Sequence, residues 1–287
     1  MKYIFWDIDG TLLLTGLAGA DALRAAIREL FGVENFQFSH PLAGATDSQI
    51  IKQICIDIKG RCRTFDAANI LINYHRLLPK FLKERHGHLM PNVTATLAYF
   101  EGLDGFKTCL LTGNTTTGAY LKLQRYGIGK YFDSHYAVCG ELSEDRSELA
   151  KIALRRLQVM HPEEEISGSD IFLIGDTPND IICAKAIGAR CLAVLAGSTY
   201  TKEQLAEHEP WKILTNCLTN RRNWFNFLTK PERNYEKIFI NIYLLPCLTG
   251  SCICLQRKRR AAGAERHQLP RCGFKRCGFK RRGFKRA

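Results

Sequence analysis

The sequence lacks several features that mark particular classes of protein. The apolar run at the N-terminus is short and is interrupted by Asp7, whereas a signal-peptide core needs about 7 to 15 apolar residues. None of the seven cysteines before residue 219 forms a Cys-x-x-Cys pair, and most of them stand in apolar contexts typical of reduced, buried thiols. These absences predict a cytoplasmic protein whose core cysteines are reduced.

Acidic residues are scarce in only one part of the chain. The 287 residues carry a formal net charge of +13, but the last 69 residues contain 18 Lys or Arg and only 3 Asp or Glu. Residues 1–218 are nearly neutral, with 23 basic and 25 acidic residues. The basicity therefore belongs to a C-terminal segment, and it gives no reason to expect that the rest of the protein binds nucleic acid.

Short apolar runs alternate with helical patterns along most of residues 1–218. We predict strands over residues 2–6, 106–111, 136–139, 170–174 and 190–195, and helices over residues 115–125, 147–159 and 179–187. Strands that alternate with helices favour an α/β fold with a doubly wound parallel sheet, here a Rossmann-like core. Ligands of such sheets bind at the carboxyl ends of the strands, and polar clusters follow several of these predicted strands.

Residues 15–90 show helical periodicity instead. Helices are predicted there over residues 20–31, 48–58 and 66–85, with no convincing strand. Because unstructured loops longer than about 12 to 15 residues are uncommon, we predict an inserted helical cap domain over residues 15–90. The catalytic core would then consist of residues 1–14 and 91–218. A cap over the strand ends would exclude water and select substrates.

Residues 219–287 are interpreted as a basic, disordered tail that the core does not need. An apolar stretch at residues 238–255 contains Asn241 and Pro246 and falls short of the about 20 apolar residues of a membrane helix. The last residues repeat a short Cys-Gly-Phe-Lys-Arg unit that cannot bury a core. Three alternatives remain open for this tail: a membrane anchor, a nucleic-acid-binding segment, or a zinc site made from its cysteines and His267.

Paired carboxylates follow the first predicted strand. Asp7 and Asp9 stand in the sequence Asp-Ile-Asp-Gly-Thr, where Gly10 lets the chain turn so that both side chains face one site. One carboxylate can act as a nucleophile while the other, in a different environment, acts as a general acid and base. Taken alone, the motif also fits a plain strand end or a fragment of a calcium-binding loop.

Two further polar motifs follow later strands. In Leu-Leu-Thr-Gly-Asn, Thr112, Gly113 and Asn114 precede a helix whose N-terminus favours an anion, although Thr112 or Asn114 could instead cap that helix. Gly-Asp-Thr-Pro-Asn-Asp adds Asp176 and Asp180, and carboxylate oxygens suit Mg²⁺ together with a substrate phosphate. Both motifs point to phosphate chemistry at the strand ends.

The motifs DIDGT, LLTGN and GDTPND, in this order and each at a strand end, resemble the first, second and fourth motifs of the haloacid dehalogenase superfamily of phosphohydrolases. The resemblance extends from residue 2 to about residue 214. A helical insertion directly after the first motif is similar to the group that includes phosphoglycolate phosphatase and β-phosphoglucomutase. Dehalogenase activity itself is not expected, because the dehalogenases of this superfamily lack the second aspartate, here Asp9.

The resemblance implies roles for the catalytic residues. Asp7 would attack phosphorus to form an aspartyl-phosphate, and Asp9 would protonate the leaving alcohol and then activate water. The third motif of the family is a single Lys or Arg, and the sequence around Arg146 is similar to members that use Arg. We therefore prefer Arg146 to Lys151, although either could be a solvated helix residue.

The same resemblance implies the binding residues. The phosphoryl oxygens would be held by Thr112, Gly113 and Asn114. Mg²⁺ would be bound by the Asp7 side chain, the Asp9 backbone carbonyl and Asp176, with Asp180 in support.

The predicted cap contributes two candidate residues. Thr46 and Asp47, in Gly-Ala-Thr-Asp, resemble a substrate-facing loop of capped members, and they fit equally well as the N-cap of a helix. His75, His86 and His88 are read as surface histidines and not as metal ligands.

The predicted activity is a Mg²⁺-dependent phosphatase that acts on a small phosphorylated metabolite of the phosphoglycolate or sugar-phosphate type. The enzymatic alternative is a phosphomutase of the same superfamily. A protein that acts through its basic tail on membranes or nucleic acid is the alternative from another class. The core is expected to bind no nucleic acid.

Overall fold

The structure, a computed structural model, describes residues 1–217 and residue 224. Apart from residue 224, the predicted tail of residues 219–287, including the apolar stretch at 238–255, lies outside these residues. The strands are Lys2–Trp6 (β1), Leu13–Leu14 (β2), His88–Leu89 (β3), Phe106–Leu111 (β4), Ala137–Val138 (β5), Ile171–Gly175 (β6), Arg190–Val194 (β7) and Lys212–Leu214 (β8). The helices are Ala18–Phe31 (α1), Asp47–Lys59 (α2), Thr64–Glu84 (α3), Val93–Glu101 (α4), Thr116–Arg125 (α5), Arg146–Met160 (α6), Pro178–Ala186 (α7) and Lys202–Glu207 (α8).

A six-stranded parallel sheet is the centre of the fold, with the strand order β5-β4-β1-β6-β7-β8. From Tyr3 to Trp6 strand β1 is apolar and buried, as expected of a strand whose two faces are both covered. Ile4 and Trp6 pack in one core cluster with residues of α4 and α5, and Tyr3 and Phe5 pack in another with residues of α6 and α7. The predicted α/β fold with a doubly wound, Rossmann-like sheet is confirmed.

Sequence patterns find most elements of the sheet layer and miss several others. Each predicted strand and helix of the sheet layer has its counterpart, with ends that differ by one or two residues at most. The helices α4 and α8 and the edge strand β8 were not predicted. The expectation of no strand in residues 15–90 is wrong at His88–Leu89, which pairs antiparallel with Leu13–Leu14. A two-residue ladder between distant segments leaves no periodic pattern to detect.

Helices α1, α2 and α3 share a hydrophobic cluster of their own. Leu23 and Ile27 of α1 are buried in it with Ile54 of α2 and with Tyr74 and Leu78 of α3. These helices occupy the chain between β2 and β3, where the helical insertion was expected. Among the described residues, no helix combines the length and the apolar character needed to cross a membrane.

One aromatic residue beyond residue 218 belongs to the core. Trp224 is 1% exposed, and its ring centroid lies 5.1 Å from that of Phe100 and 6.5 Å from that of Trp6. The compact unit that contains the sheet and the insertion extends from Met1 to Pro231. Residue 224 thus contributes to the core from the range that sequence analysis assigns to the tail.

Candidate active site

Three carboxylates meet at the carboxyl ends of β1 and β6. Asp7 follows β1 directly, Asp176 follows β6, and Asp180 lies in the first turn of α7. All three are buried, and each offers an oxygen within 4.8 Å of the others. Gly10 has a φ of 82°, and a Cβ at this position would overlap the Asp176 carboxylate. Only glycine meets both conditions, so it allows the turn after β1 to approach Asp176.

Arg146 lies between two of these carboxylates. Its Nη2 donates to Asp7 Oδ2 at 3.1 Å and to Asp180 Oδ1 at 2.5 Å. The side chain is 6% exposed, so the charge is held away from bulk water. Burial works against the cation, but Asp180 and Asp7 outweigh it and raise the pKa of Arg146. The site therefore holds a permanent positive charge beside Asp7.

The carboxylates are crowded. Burial raises the pKa of Asp7, while the Arg146 guanidinium opposes the rise and the Asp180 carboxylate adds to it. Burial also raises the pKa of Asp176 well above its usual value, and Asp180 and Asp7 add to that rise. Carboxylate oxygens that converge on a small buried space are the ligands that suit Mg²⁺, and a dication would favour their ionised forms. The donor set therefore fits a magnesium ion.

Asp180 and Asp176 are also fixed by their own turns. Asp180 Oδ2 accepts hydrogen bonds from the Thr177 amide at 3.0 Å and from the Thr177 hydroxyl at 2.6 Å, which makes a capping box at the start of α7. Thr11 Oγ1 donates to Asp176 Oδ1 at 2.9 Å. Since both oxygens of Asp180 are engaged, this side chain orients Arg146 and the turn at the start of α7.

Asp9 has a different environment from Asp7. Its side chain is 43% exposed, and its Oδ2 accepts hydrogen bonds from Lys122 Nζ at 2.6 Å and from Asn114 Nδ2 at 2.8 Å. Sequence analysis missed Lys122. The sequence does contain one sign that Lys122 is buried. It lies on the same side of α5 as Ala119 and Leu123, which are both buried. A charged residue on the buried side of a helix needs a partner, and here the partner is Asp9.

The loop after β4 brings the second motif to the same edge of the sheet. Thr112 is fully buried, and its Oγ1 accepts hydrogen bonds from the Asn114 amide at 3.3 Å and from Asn114 Nδ2 at 2.9 Å. Thr115 is the N-cap of α5, with its hydroxyl accepting from the Gly118 amide. The alternative in which Thr112 or Asn114 caps this helix is therefore wrong.

Thr46 and Asp47 reach this loop from the helical insertion. The Asp47 amide donates to the Gly113 carbonyl at 2.7 Å, and Asp47 Oδ2 accepts from the Thr115 amide at 2.8 Å. Thr46 is fully buried, and its hydroxyl accepts from the Gln49 amide at 3.1 Å as the N-cap of α2. The structure thus brings Asp47 against the phosphate-loop candidates and gives Thr46 the capping interaction.

The alternative basic residue and the three histidines named in the sequence analysis lie outside this cluster of carboxylates. Lys151 is exposed and pairs with Glu148, so Arg146 is the basic residue that reaches Asp7. His86 and His88 are exposed, as predicted. The prediction of a surface position is wrong for His75, which is half-buried with Nε2 2.7 Å from Thr115 Oγ1. His75 is half-buried because α3 packs against α5 there. The periodicity of α3 alone does not show this contact between helices.

Comparisons with known proteins show the family of this chain and structures with a similar fold. A family model described as a haloacid dehalogenase-like hydrolase matches residues 1–188. The phosphoglycolate phosphatase of Vibrio vulnificus strain CMCP6 is 27% identical over 215 residues, which cover 73% of this chain and 90% of that protein. Among solved structures, CbbY from Rhodobacter sphaeroides in complex with phosphate has a TM-score of 0.60 at 18% identity, over 75% of this chain and 94% of the other. A predicted phosphoglycolate phosphatase from Haemophilus somnus 129pt has a TM-score of 0.56 at 17% identity, over 79% of this chain and 97% of the other.

Proposed function

Because the chain belongs to the haloacid dehalogenase-like hydrolase family, we propose that it is a Mg²⁺-dependent phosphatase of small phosphorylated metabolites that works through an aspartyl-phosphate. The observation that carries this proposal is the buried cluster of Asp7, Asp176 and Asp180 with Arg146 between Asp7 and Asp180. Phosphatase relatives make hydrolysis of a phosphoric monoester the activity to expect.

Asp7 is proposed as the nucleophile. Its Oδ1 accepts the Ile8 amide at 2.7 Å and its Oδ2 faces Arg146, so the carboxylate has one orientation at the end of a rigid strand. In the first step an Asp7 oxygen bonds to phosphorus while the bond from phosphorus to the ester oxygen breaks. Asp9 gives a proton to that leaving oxygen and is left as a carboxylate.

Asp9 then works in the opposite direction. A water oxygen bonds to phosphorus while the bond from phosphorus to Asp7 breaks, and the proton of the water goes to Asp9. The different environments of Asp7 and Asp9 suit this division of labour, since Asp9 is partly exposed and Asp7 is buried. Phosphate leaves, and both aspartates return to their starting state.

The remaining residues are proposed to bind charge. Thr112, Gly113 and Asn114 would hold the phosphoryl oxygens, and Arg146 would keep a positive charge beside Asp7 throughout. The Asp7 and Asp176 side chains and the Asp9 carbonyl would hold Mg²⁺, with Asp180 in support. The ion would supply positive charge to the phosphoryl oxygens as they gain charge in the transition state.

We also propose the division into a core of residues 1–14 and 91–218 and a cap of residues 15–90. Support comes from the separate hydrophobic cluster of α1 to α3 and from the polar contacts of Asp47 with Gly113 and Thr115. Such a cap would close the site to water and select the substrate. The phosphoglycolate phosphatase relatives favour a small acidic ester, with sugar phosphates as the next class.

The test is phosphate release from a panel of small phosphoesters, with Mg²⁺ and with a chelator. Wild-type turnover should need Mg²⁺, Asp7→Asn should show none, and Asp9→Asn should lose about 10²- to 10⁴-fold. Asp133→Asn changes an exposed aspartate and should behave as wild type. Absence of turnover by folded wild-type protein on every ester would refute the phosphatase, and isomerised sugar phosphate without released phosphate would identify a mutase.

A further inference from the structure

Lys122 is a buried cation that the sequence motifs leave unexplained. It lies on α5, its side chain is 6% exposed, and its Nζ lies 2.6 Å from both Asp9 Oδ2 and Asn114 Oδ1. A lysine is seldom buried unless it is paired. The pairing here joins it directly to the aspartate that is proposed to transfer protons.

Both donors at Asp9 converge on the same carboxylate oxygen. Lys122 Nζ and Asn114 Nδ2 donate to Oδ2 at 2.6 and 2.8 Å, and no described residue donates a hydrogen bond to Oδ1. Because Lys122 and Asn114 both engage Oδ2, Oδ1 is the oxygen of Asp9 that remains available to an ester.

The surroundings of Lys122 keep its ammonium in place. Asn114 holds it from the loop after β4, and Tyr74 of α3 and Gly19 of α1 lie nearby. A Cβ added at Gly19 would lie 4.0 Å from Lys122 Nζ and 3.7 Å from the Tyr74 hydroxyl. Because the ammonium is enclosed by groups from the sheet and from the helical insertion, it has little freedom to leave Asp9.

We infer that Lys122 is a positioning residue, which together with Asn114 fixes the partly exposed Asp9 carboxylate so that Oδ1 faces the leaving oxygen of the ester. The inference rests on the proposed phosphatase function. Lys122 acts through Asp9 and is not itself placed on the reacting atoms. Its effect is therefore tied to both steps in which Asp9 moves a proton, and of these only the protonation of the leaving oxygen depends on the ester.

This dependence gives a specific signature. Esters of weakly acidic alcohols need a proton on the leaving oxygen, whereas p-nitrophenolate leaves readily as an anion. Loss of a positioning residue for the acid should slow alkyl phosphates much more than p-nitrophenyl phosphate. A general structural defect would lower the rates of both substrates alike.

The experiment measures kcat and KM of wild type, Lys122→Met and Lys185→Met on the best alkyl phosphate of the panel and on p-nitrophenyl phosphate. Lys185 is an exposed lysine that pairs with Glu209, so it is the matched control and should change neither rate. For Lys122→Met we expect kcat/KM, which reports transfer of the phosphoryl group to Asp7, to fall about 100-fold on the alkyl ester and less than about 10-fold on p-nitrophenyl phosphate.

A second variant covers a failure to fold. If Lys122→Met does not fold, Lys122→Gln keeps a neutral donor and should show the same inequality between the two esters with smaller losses. Equal losses of kcat/KM on both esters in a folded variant would overturn the positioning role. Absence of wild-type turnover on either ester would instead refute the proposed phosphatase, and the inference would fall with it.

Discussion

The three buried carboxylates of the site repel one another when they are ionised. Asp7, Asp176 and Asp180 are buried within 4.8 Å of one another, with Arg146 as the balancing cation. One cation does not neutralise three carboxylates, so the metal-free protein carries repulsion that the unfolded chain lacks. Stability at the level of these residues should therefore depend on pH and on metal.

Asp176→Asn should raise the thermal stability of the metal-free protein at neutral pH. Burial, Asp180 and Asp7 raise the pKa of Asp176 above its value in the unfolded chain. The folded state therefore binds the Asp176 proton more tightly than the unfolded chain does. The stability that this proton adds is lost as pH rises through the folded pKa. The advantage of the variant should be largest at neutral pH and should shrink toward pH 4, as measured by melting temperature in a chelating buffer.

Asp170→Asn is the matched control of opposite sign. Burial opposes ionisation of Asp170, but hydrogen bonds from Lys2 and Ser167 outweigh it and lower the pKa. The stability that ionised Asp170 adds to the folded state is present above the pKa of the unfolded chain, and it is lost as pH falls through the pKa of the folded state. This variant should be less stable than wild type at neutral pH, and the deficit should shrink in acid. The same sign for both variants would contradict the electrostatic account.

Residues at the N-termini of two helices also form hydrogen bonds to other segments of the site. Thr46 caps α2 and also donates to the Glu144 carbonyl at 3.3 Å, close to Arg146 in the sequence. Asp180 likewise caps α7 while it orients Arg146. These helix termini therefore hold the insertion and the sheet layer in register as well as starting their helices.

Thr46→Ala should lower the free energy of unfolding by about 1–2 kcal/mol, because a buried cap and a second hydrogen bond are both lost. Thr201→Ala is the control, since Thr201 caps the short helix α8 from an exposed position. That change should cost no more than about 1 kcal/mol. Urea unfolding measures both variants, and an equal or smaller loss for Thr46→Ala would show that the contact with Glu144 contributes nothing.

At the scale of the whole molecule, stability depends on where the compact unit ends. Trp224 packs on Phe100 and Trp6, and the unit extends to Pro231. A chain cut after residue 218 would expose the surface that this indole covers, whereas a chain cut after residue 231 keeps it. The length of protein that folds fully is therefore set by tertiary packing beyond the last motif.

A chain of residues 1–231 should keep the turnover and melting temperature of the full-length protein. Residues 1–218 should be less stable, with a deficit of about 3–5 kcal/mol, and Trp224→Ala in the full-length chain should show a similar loss. Thermal and urea unfolding of the three proteins measure this. Equal stability of residues 1–218 and 1–231 would contradict a structural role for Trp224.

Local patterns were enough for most of the fold and for much of the candidate site. Apolar runs as in β1 and helical periods as in α6 depend on neighbours in the sequence, so they can be read without coordinates. Asp7, Thr112 and Asp176 follow such strands and were therefore predictable at one edge of the sheet. Their proposed roles remain predictions until turnover is measured.

Other features depend on contacts between distant segments. Lys122 looks like an ordinary helix residue until α5 is placed beside Asp9, and His75 looks like a surface residue until α3 meets Thr115. The ladder of β2 and β3 and the burial of Trp224 have the same origin.

The sequence by itself determined most of the alternating strands and helices of the sheet layer, the family, and which carboxylates stand at strand ends. The tertiary structure decided which cation serves each carboxylate, Arg146 for Asp7 and Lys122 for Asp9, and where the compact unit ends. The physical reason is that hydrophobic periodicity is a property of neighbouring residues. The pairing of buried charges depends on which segments folding brings within a few ångströms of one another.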